Sequence, residues 1–155
     1  MTVAQYQDRT VDMQAWSVDS TDGVMVDAST SGTICTGILK LAQRFMITFL
    51  NEVDSIVYNY WGKEIEQGTR FMLALRSGWI HTEADVYSEF AIAELQARQQ
   101  LIAEETGSEP DDERYKSSML SAVTLSDGKL QLTIVIQSQS ESVQIIVPIP
   151  VMVPQ

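Results

Sequence analysis

Apolar residues recur at helical spacing from Ile34 onward. Ile34, Ile38, Leu41, Phe45 and Phe49 form one stripe; Leu39, Ala42, Met46, Leu50 and Val53 form an adjoining one. Two adjacent stripes make a broad apolar face, which predicts a central helix over 34–52 with Lys40, Gln43, Arg44 and Thr48 on the remaining surface. The periodicity then stops. In FLNEVDSIVYNYWGKEI (49–65), acids, aromatics and a Gly follow one another with no regular spacing, and the segment reads as a shaped loop. A short helix is expected over 67–78, with Phe71, Met72 and Leu75 inward and Gly78 as its stop. Thr82 with Asp85 resembles a capping box and opens a third helix running to about Thr106. Its stripe is Val86, Phe90, Ala93, Ala97 and Leu101, with Leu95 and Ile102 beside it; Gly107 and Pro110 end it. Residues 108–116 read as an exposed, charged connector.

The pattern then changes to period two. Two β-like runs, 117–125 and 129–137, flank Asp127-Gly128, a strong hairpin signal. A two-residue turn there sets Leu125 opposite Leu130, Val123 opposite Leu132 and Met119 opposite Ile136, which makes one face apolar. SQSES (138–142) is a second turn, and Val143, Ile145, Val147 and Ile149 alternate along a third strand. Pro148 donates no ladder bond, so that strand belongs at an edge. Residues 1–33 are polar, with short β-like pieces at 10–16 and 23–29, and read as an extended arm that pairs with a sheet edge or lies on a neighbour. The expected fold is α+β: two to three helices packed on a C-terminal antiparallel β-meander. The arm spans 1–33, the domain 34–150 and a tail 151–155. The apolar, Pro-broken end VPIPVMVPQ (147–155) reads either as draped over its own core or as a docking segment.

Composition narrows the function. The chain has 155 residues, 45% hydrophobic and 20% charged, enough for a buried core in one domain. Its formal charge of −11 repels phosphate backbones and anionic membrane surfaces, so neither nucleic acid nor membrane is expected as a partner. No apolar run approaches the roughly 18 residues of a spanning helix. One Cys, Cys35, forms no internal disulfide and reads as a small buried hydrophobe. With no apolar leader visible, a soluble protein of a reducing cytoplasm is expected.

Candidate chemistry is sparse. Glu52 and Asp54 lie at a spacing that suits a pair of glycosidase carboxylates, as in a lysozyme-like hydrolase. Against this, acids make up 21 of 155 residues, so some pair always falls close in sequence. His81 is the only His and has no Cys/His companions, so no metal site and no cofactor are expected. Tyr58, Tyr60 and Trp61 read either as lids on the core or as anchors for a partner. The balance favours a non-catalytic assembly component.

The order of parts supports that view. GILKLAQRFMITFLNEVDSIVYNYWGKEI (37–65), then GTRFMLAL, then DVYSEFAIAELQARQQLIAEE, then KLQLTIVIQ and VQIIVPI resemble, in sequence and order, the baseplate wedge or sheath initiator family of contractile phage tails. The type VI secretion baseplate has a counterpart in the same family. Where that family carries an acidic residue joined to Arg, this chain has Asp54-Ser55-Ile56. The resemblance covers about 34–150. It implies a virion protein, made in the host cytoplasm and placed in several copies in a ring. Its implied partners are other wedge proteins and the tail sheath, with tail tube or hub proteins as further candidates. By position it implies that Glu52, Asp54, Ser55, Tyr58, Trp61 and Gly62 grip the wedge core. It likewise implies that Thr133, Val135, Gln137, Val143, Ile145 and Val147 meet the sheath by strand addition.

Overall fold

The computed structural model describes residues 12–13, 34–52, 56–58, 64–66, 68–126 and 128–150; for 12–13, 34, 56–58, 64–66 and 126 it describes the backbone alone. Its class is α+β, with three helices and a three-stranded antiparallel sheet among the described residues. In chain order the elements are β1 (Asp12–Met13), β2 (Ile34–Cys35), α1 (Ile38–Leu50), β3 (Ile56–Tyr58), β4 (Glu64–Glu66), α2 (Phe71–Arg76), α3 (Glu83–Glu104), a 3-10 turn (Asp111–Glu113), β5 (Tyr115–Ser126), β6 (Lys129–Ser138) and β7 (Ser142–Pro150). The chain divides into two compact units, one of residues 44–105 and one of 1–43 with 106–155.

In the unit of residues 44–105 the core is aromatic. Phe45 and Phe49 lie four apart on α1, so the helix stacks their rings, 5.6 Å between centroids. Phe71 of α2 meets Phe49 at 4.9 Å, and Phe90 of α3 meets it at 5.5 Å. All four are buried, and each contributes about 1.5–3 kcal/mol of burial. The predicted stripe of α3, from Val86 to Leu101, is buried throughout. Leu95 and Ile102 are not at its side: they are 54% and 48% exposed. Of the residues expected inward on α2, Phe71 is buried, whereas Met72 and Leu75 are half-buried.

The helix ends follow the expected chemistry. Thr82 Oγ1 accepts from the Asp85 N–H while Asp85 accepts from the Thr82 N–H, which closes the capping box that starts α3. Gly78, at φ +74°, ends α2 in a Schellman arrangement: Trp79 N–H donates to Ala74 O and Gly78 N–H to Leu75 O. Helix α1 is shorter than its periodicity suggests. Gly37, at φ +65°, starts it, and Ile34 lies in strand β2, paired antiparallel with Met13. Gln43, expected on the surface, is buried.

The other unit holds the sheet, in order β5-β6-β7. Leu130, Leu132, Ile134 and Ile136 of β6 are buried, as are Ile145, Val147 and Ile149 of β7, the alternation expected of a sheet with one covered face. Leu125 pairs with Leu130 and Val123 with Leu132, as the Asp-Gly turn dictates. Met119, however, pairs with Val135 and not with Ile136. A bulge between Leu120 and Ala122 inserts Ser121, whose hydroxyl donates to Thr133 O. One extra residue exchanges the two faces of the strand beyond it. Leu120 therefore turns inward, and Met119 is 61% exposed. The connector 108–116 is only partly exposed. Glu113 is buried and accepts from Thr36 Oγ1 at 2.9 Å and Gly37 N–H at 3.0 Å, which ties the start of α1 to the 3-10 turn; Tyr115 is buried too. Cys35 is buried, as expected. At the C-terminus, residues 147–150 belong to β7 rather than to a tail, and 151–155 lie outside the described residues.

Candidate partner-binding site

The segment expected as an aperiodic loop contains a hairpin. Ile56 pairs with Glu66, Val57 with Ile65 and Tyr58 with Glu64. Asp54, Ser55, Tyr60, Trp61 and Gly62 lie outside the described residues, and of Tyr58 only the strand is described. Glu52 is described, and it sits at the base of this excursion.

That base is a neck in which both ends of the excursion are held together. Glu52 and Thr69 form a parallel bridge, and Thr69 N–H donates to Asn51 O at 2.8 Å. The Thr69 hydroxyl donates to Phe49 O at 2.8 Å and takes up a carbonyl that the end of α1 leaves unpaired. Gly68 is required here. Its φ is +101°, and a Cβ would lie 2.5 Å from Asn51 O and 2.8 Å from Glu52 C, both backbone atoms.

Helix α3 holds the neck from one side. Gln100 binds Gly68 at both ends of its amide: Gly68 N–H donates to Oε1 at 2.8 Å, and Nε2 donates to Gly68 O at 2.6 Å. One turn earlier, Gln96 Oε1 accepts from the Arg70 N–H at 2.9 Å. The Arg70 guanidinium makes two bonds to Glu89, at 2.9 and 2.7 Å, and lies 5.9 Å from the centre of the Trp79 ring. The Glu89 carboxylate raises the Arg70 pKa above its ordinary value. Glu52 accepts from Arg76 at 2.8 Å, a partly exposed pair that fastens residue 52 to α2. Its stability contribution is at most about 1 kcal/mol. Beside the neck, Arg44, Ile47, Thr48, Asn51, Gly68, Gln100 and Glu104 line a cleft of about 130 Å³. Gln96 and Gln100 carry a readable signal, two amides four apart on a helix, but their partner lies some thirty residues away.

His81 is exposed, and its backbone N–H donates to Asp85 at 2.9 Å. Two backbone N–H groups thus hold the Asp85 carboxylate below the usual range. Among the described residues, no group of three or more His, Cys, Asp or Glu is placed to hold a metal ion.

The second set of predicted site residues divides by strand. Thr133, Val135 and Gln137 lie on β6, the central strand, and each is paired on both sides: Thr133 with Ala122 and Ile146, Val135 with Met119 and Gln144, Gln137 with Ser117 and Ser142. A central strand has no free backbone edge, so strand addition cannot occur at these three. Ile145 and Val147 are buried and Val143 half-buried, which leaves the backbone of β7, not these side chains, as the accessible feature.

The edge of β7 is itself divided. In an antiparallel strand, alternate residues turn their N–H and C=O to opposite sides. Pro148 and Pro150 lack an N–H, and the arrangement that leaves no β6 carbonyl unanswered turns both outward. Ser142, Gln144 and Ile146 share that parity. The outward edge therefore offers donors over 142–146 and none at 148 and 150. No family model, curated protein or solved structure matches the chain.

Proposed function

We propose that this chain is a non-catalytic structural component of a contractile phage tail baseplate, of the sheath initiator kind. In this reading the excursion 52–67 grips neighbouring wedge proteins, and the sheet receives a strand from the first ring of sheath subunits. The observation that carries the reading is the edge of β7 over Ser142–Ile146, which no other described strand pairs, a row of outward donors at the rim of an antiparallel meander. Main-chain pairing at such an edge supplies affinity, and alternate side chains set register. The order of elements, helix then excursion then two helices then meander, agrees with the family that the sequence resembles. Repetition around a ring multiplies weak contacts into avidity. The alternative, a hydrolase using Glu52 and Asp54, draws no support from Glu52, whose carboxylate is engaged by Arg76.

The test is reconstitution with sheath and wedge proteins of a contractile phage tail, read by mass spectrometry and particle imaging. Rings containing all three are expected. Ile146→Pro removes one outward donor while keeping the β6 ladder, and is expected to abolish sheath recruitment and leave wedge binding intact. Trp61→Ala is expected to do the reverse. A chain that ignores both proteins sinks the proposal.

A further inference from the structure

The excursion rejoins the scaffold through the residue type that fixes no direction. Gly68 has no side chain, so its φ of +101° is held by its neighbours and not by its own sterics. The next residue, Thr69, turns its N–H to Asn51 O. Gly68 turns both of its polar groups to Gln100: its N–H donates to Oε1 at 2.8 Å, and its carbonyl accepts from Nε2 at 2.6 Å. One residue exchanging two bonds with its neighbour is the pattern of a strand in an antiparallel pair. The Gln100 amide thus takes the part of a strand beside Gly68.

That amide is itself held. Its second N–H donates to Gln96 O at 3.2 Å, one turn earlier on α3, so both N–H groups and the oxygen are engaged. Two bonds to one residue set its position and its direction, whereas a single bond leaves the peptide free to pivot. The requirement is for an amide. Glu has the same shape, but its carboxylate only accepts and would face the Gly68 carbonyl; Met has a similar length and does neither. The aromatic core around Phe49 is built from α1, α2 and the buried stripe of α3, and Gln100 is not a member of that stripe.

We infer that Gln100 is the positioning residue of the excursion: its amide turns a glycine hinge into a fixed mount and sets the direction in which the hairpin β3–β4 stands on the scaffold. The consequence for partner binding rests on the grip proposed above; the positioning does not.

The test is pulsed electron paramagnetic resonance on the full chain, with spin labels on Glu64→Cys and Ser88→Cys. Cys35 is buried and is replaced by Ala in every protein compared. Ser88 lies about 18 Å from Gln100 along α3, which keeps the labels apart. The wild-type residue at 100 is expected to give a narrow distance distribution. Gln100→Met is expected to broaden it at least about twofold. Gln100→Glu, which keeps the bond to the Gly68 N–H, is expected to broaden it too and serves should the Met variant fail to fold. Hydrogen exchange along 86–97 is expected to stay unchanged in both, because the core is untouched. A distribution that is equally broad with Gln at 100, or equally narrow in the variants, overturns the inference. Broadening accompanied by faster exchange along 86–97 gives Gln100 a general structural role and overturns it as well. Wedge binding is read separately and should weaken by about tenfold, the entropy of one freed backbone residue. Unchanged binding beside a broadened distribution would remove the grip and leave the positioning in place.

Discussion

At Gly68 two constraints meet: a left-handed backbone and a neighbouring carbonyl 2.5 Å from where a Cβ would sit. Gly78 has the first without the second, since nothing lies within 4 Å of its Cβ position. Gly68→Ala should therefore cost about 3 kcal/mol and Gly78→Ala about 1 kcal/mol in denaturant unfolding. Equal losses would mean that the neck does not approach as closely as described. Glu109 is the other residue with a distinct signature. It accepts from the Thr106 and Gly107 N–H groups and from the Thr106 hydroxyl, which holds its carboxyl down to about 2. A folded pKa below the unfolded one, near 4.5, contributes stability above about pH 4.5 that is lost as pH falls toward 2. Glu109→Gln should flatten the melting temperature across that window and leave the difference from wild type constant above it. Parallel pH curves for the two proteins would refute this.

Among the elements, α3 owes its start to Thr82. Thr82→Ala should cost about 1 kcal/mol while leaving the helical circular dichroism of the folded state unchanged. This boundary was legible in the sequence because a capping box is local: its two residues lie three apart and answer each other. The Asp127-Gly128 hairpin and the buried stripe of α3 were legible for the same reason. The bulge at Ser121 was not, since nothing in SSMLSAVTL marks an inserted residue, and so Met119 is expected inward yet points out. The neck of the excursion was hidden for a different reason. Gly68 is bound by Gln100, and that partnership exists only once α1, α2 and α3 are in place. Leu95 and Ile102 fit both a widened core stripe and a second face, and periodicity alone does not separate the two. Asp54, Ser55, Trp61 and Gly62, which the proposed function assigns to a grip, lie outside the described residues.

For the whole molecule, the net charge of −11 has a thermal consequence. Like charges repel more in the compact state, and salt shortens their reach to about 10 Å at 0.1 M. The melting temperature should rise between low salt and 0.5 M NaCl; a flat profile would show that local ion pairs already balance the excess. The C-terminus has a matching test. Deleting 148–155 removes the buried Ile149, which pairs with Leu130, so it should destabilise the protein measurably. Ending the chain at Pro150 leaves that pairing in place, so the difference between the two truncations measures what residues 148–150 contribute.

The neck at Asn51–Glu52 and Gly68–Thr69 has a consequence for how such a chain diversifies. Because the ends of the excursion are fastened to each other and to α3, lengthening the stretch between them adds little closure entropy: doubling a closed loop costs only about 0.6 kcal/mol. Closure therefore sets no tight limit on the number of residues between Glu52 and Gly68, provided that the glycine at 68 and the amide at 100 that receives it are kept.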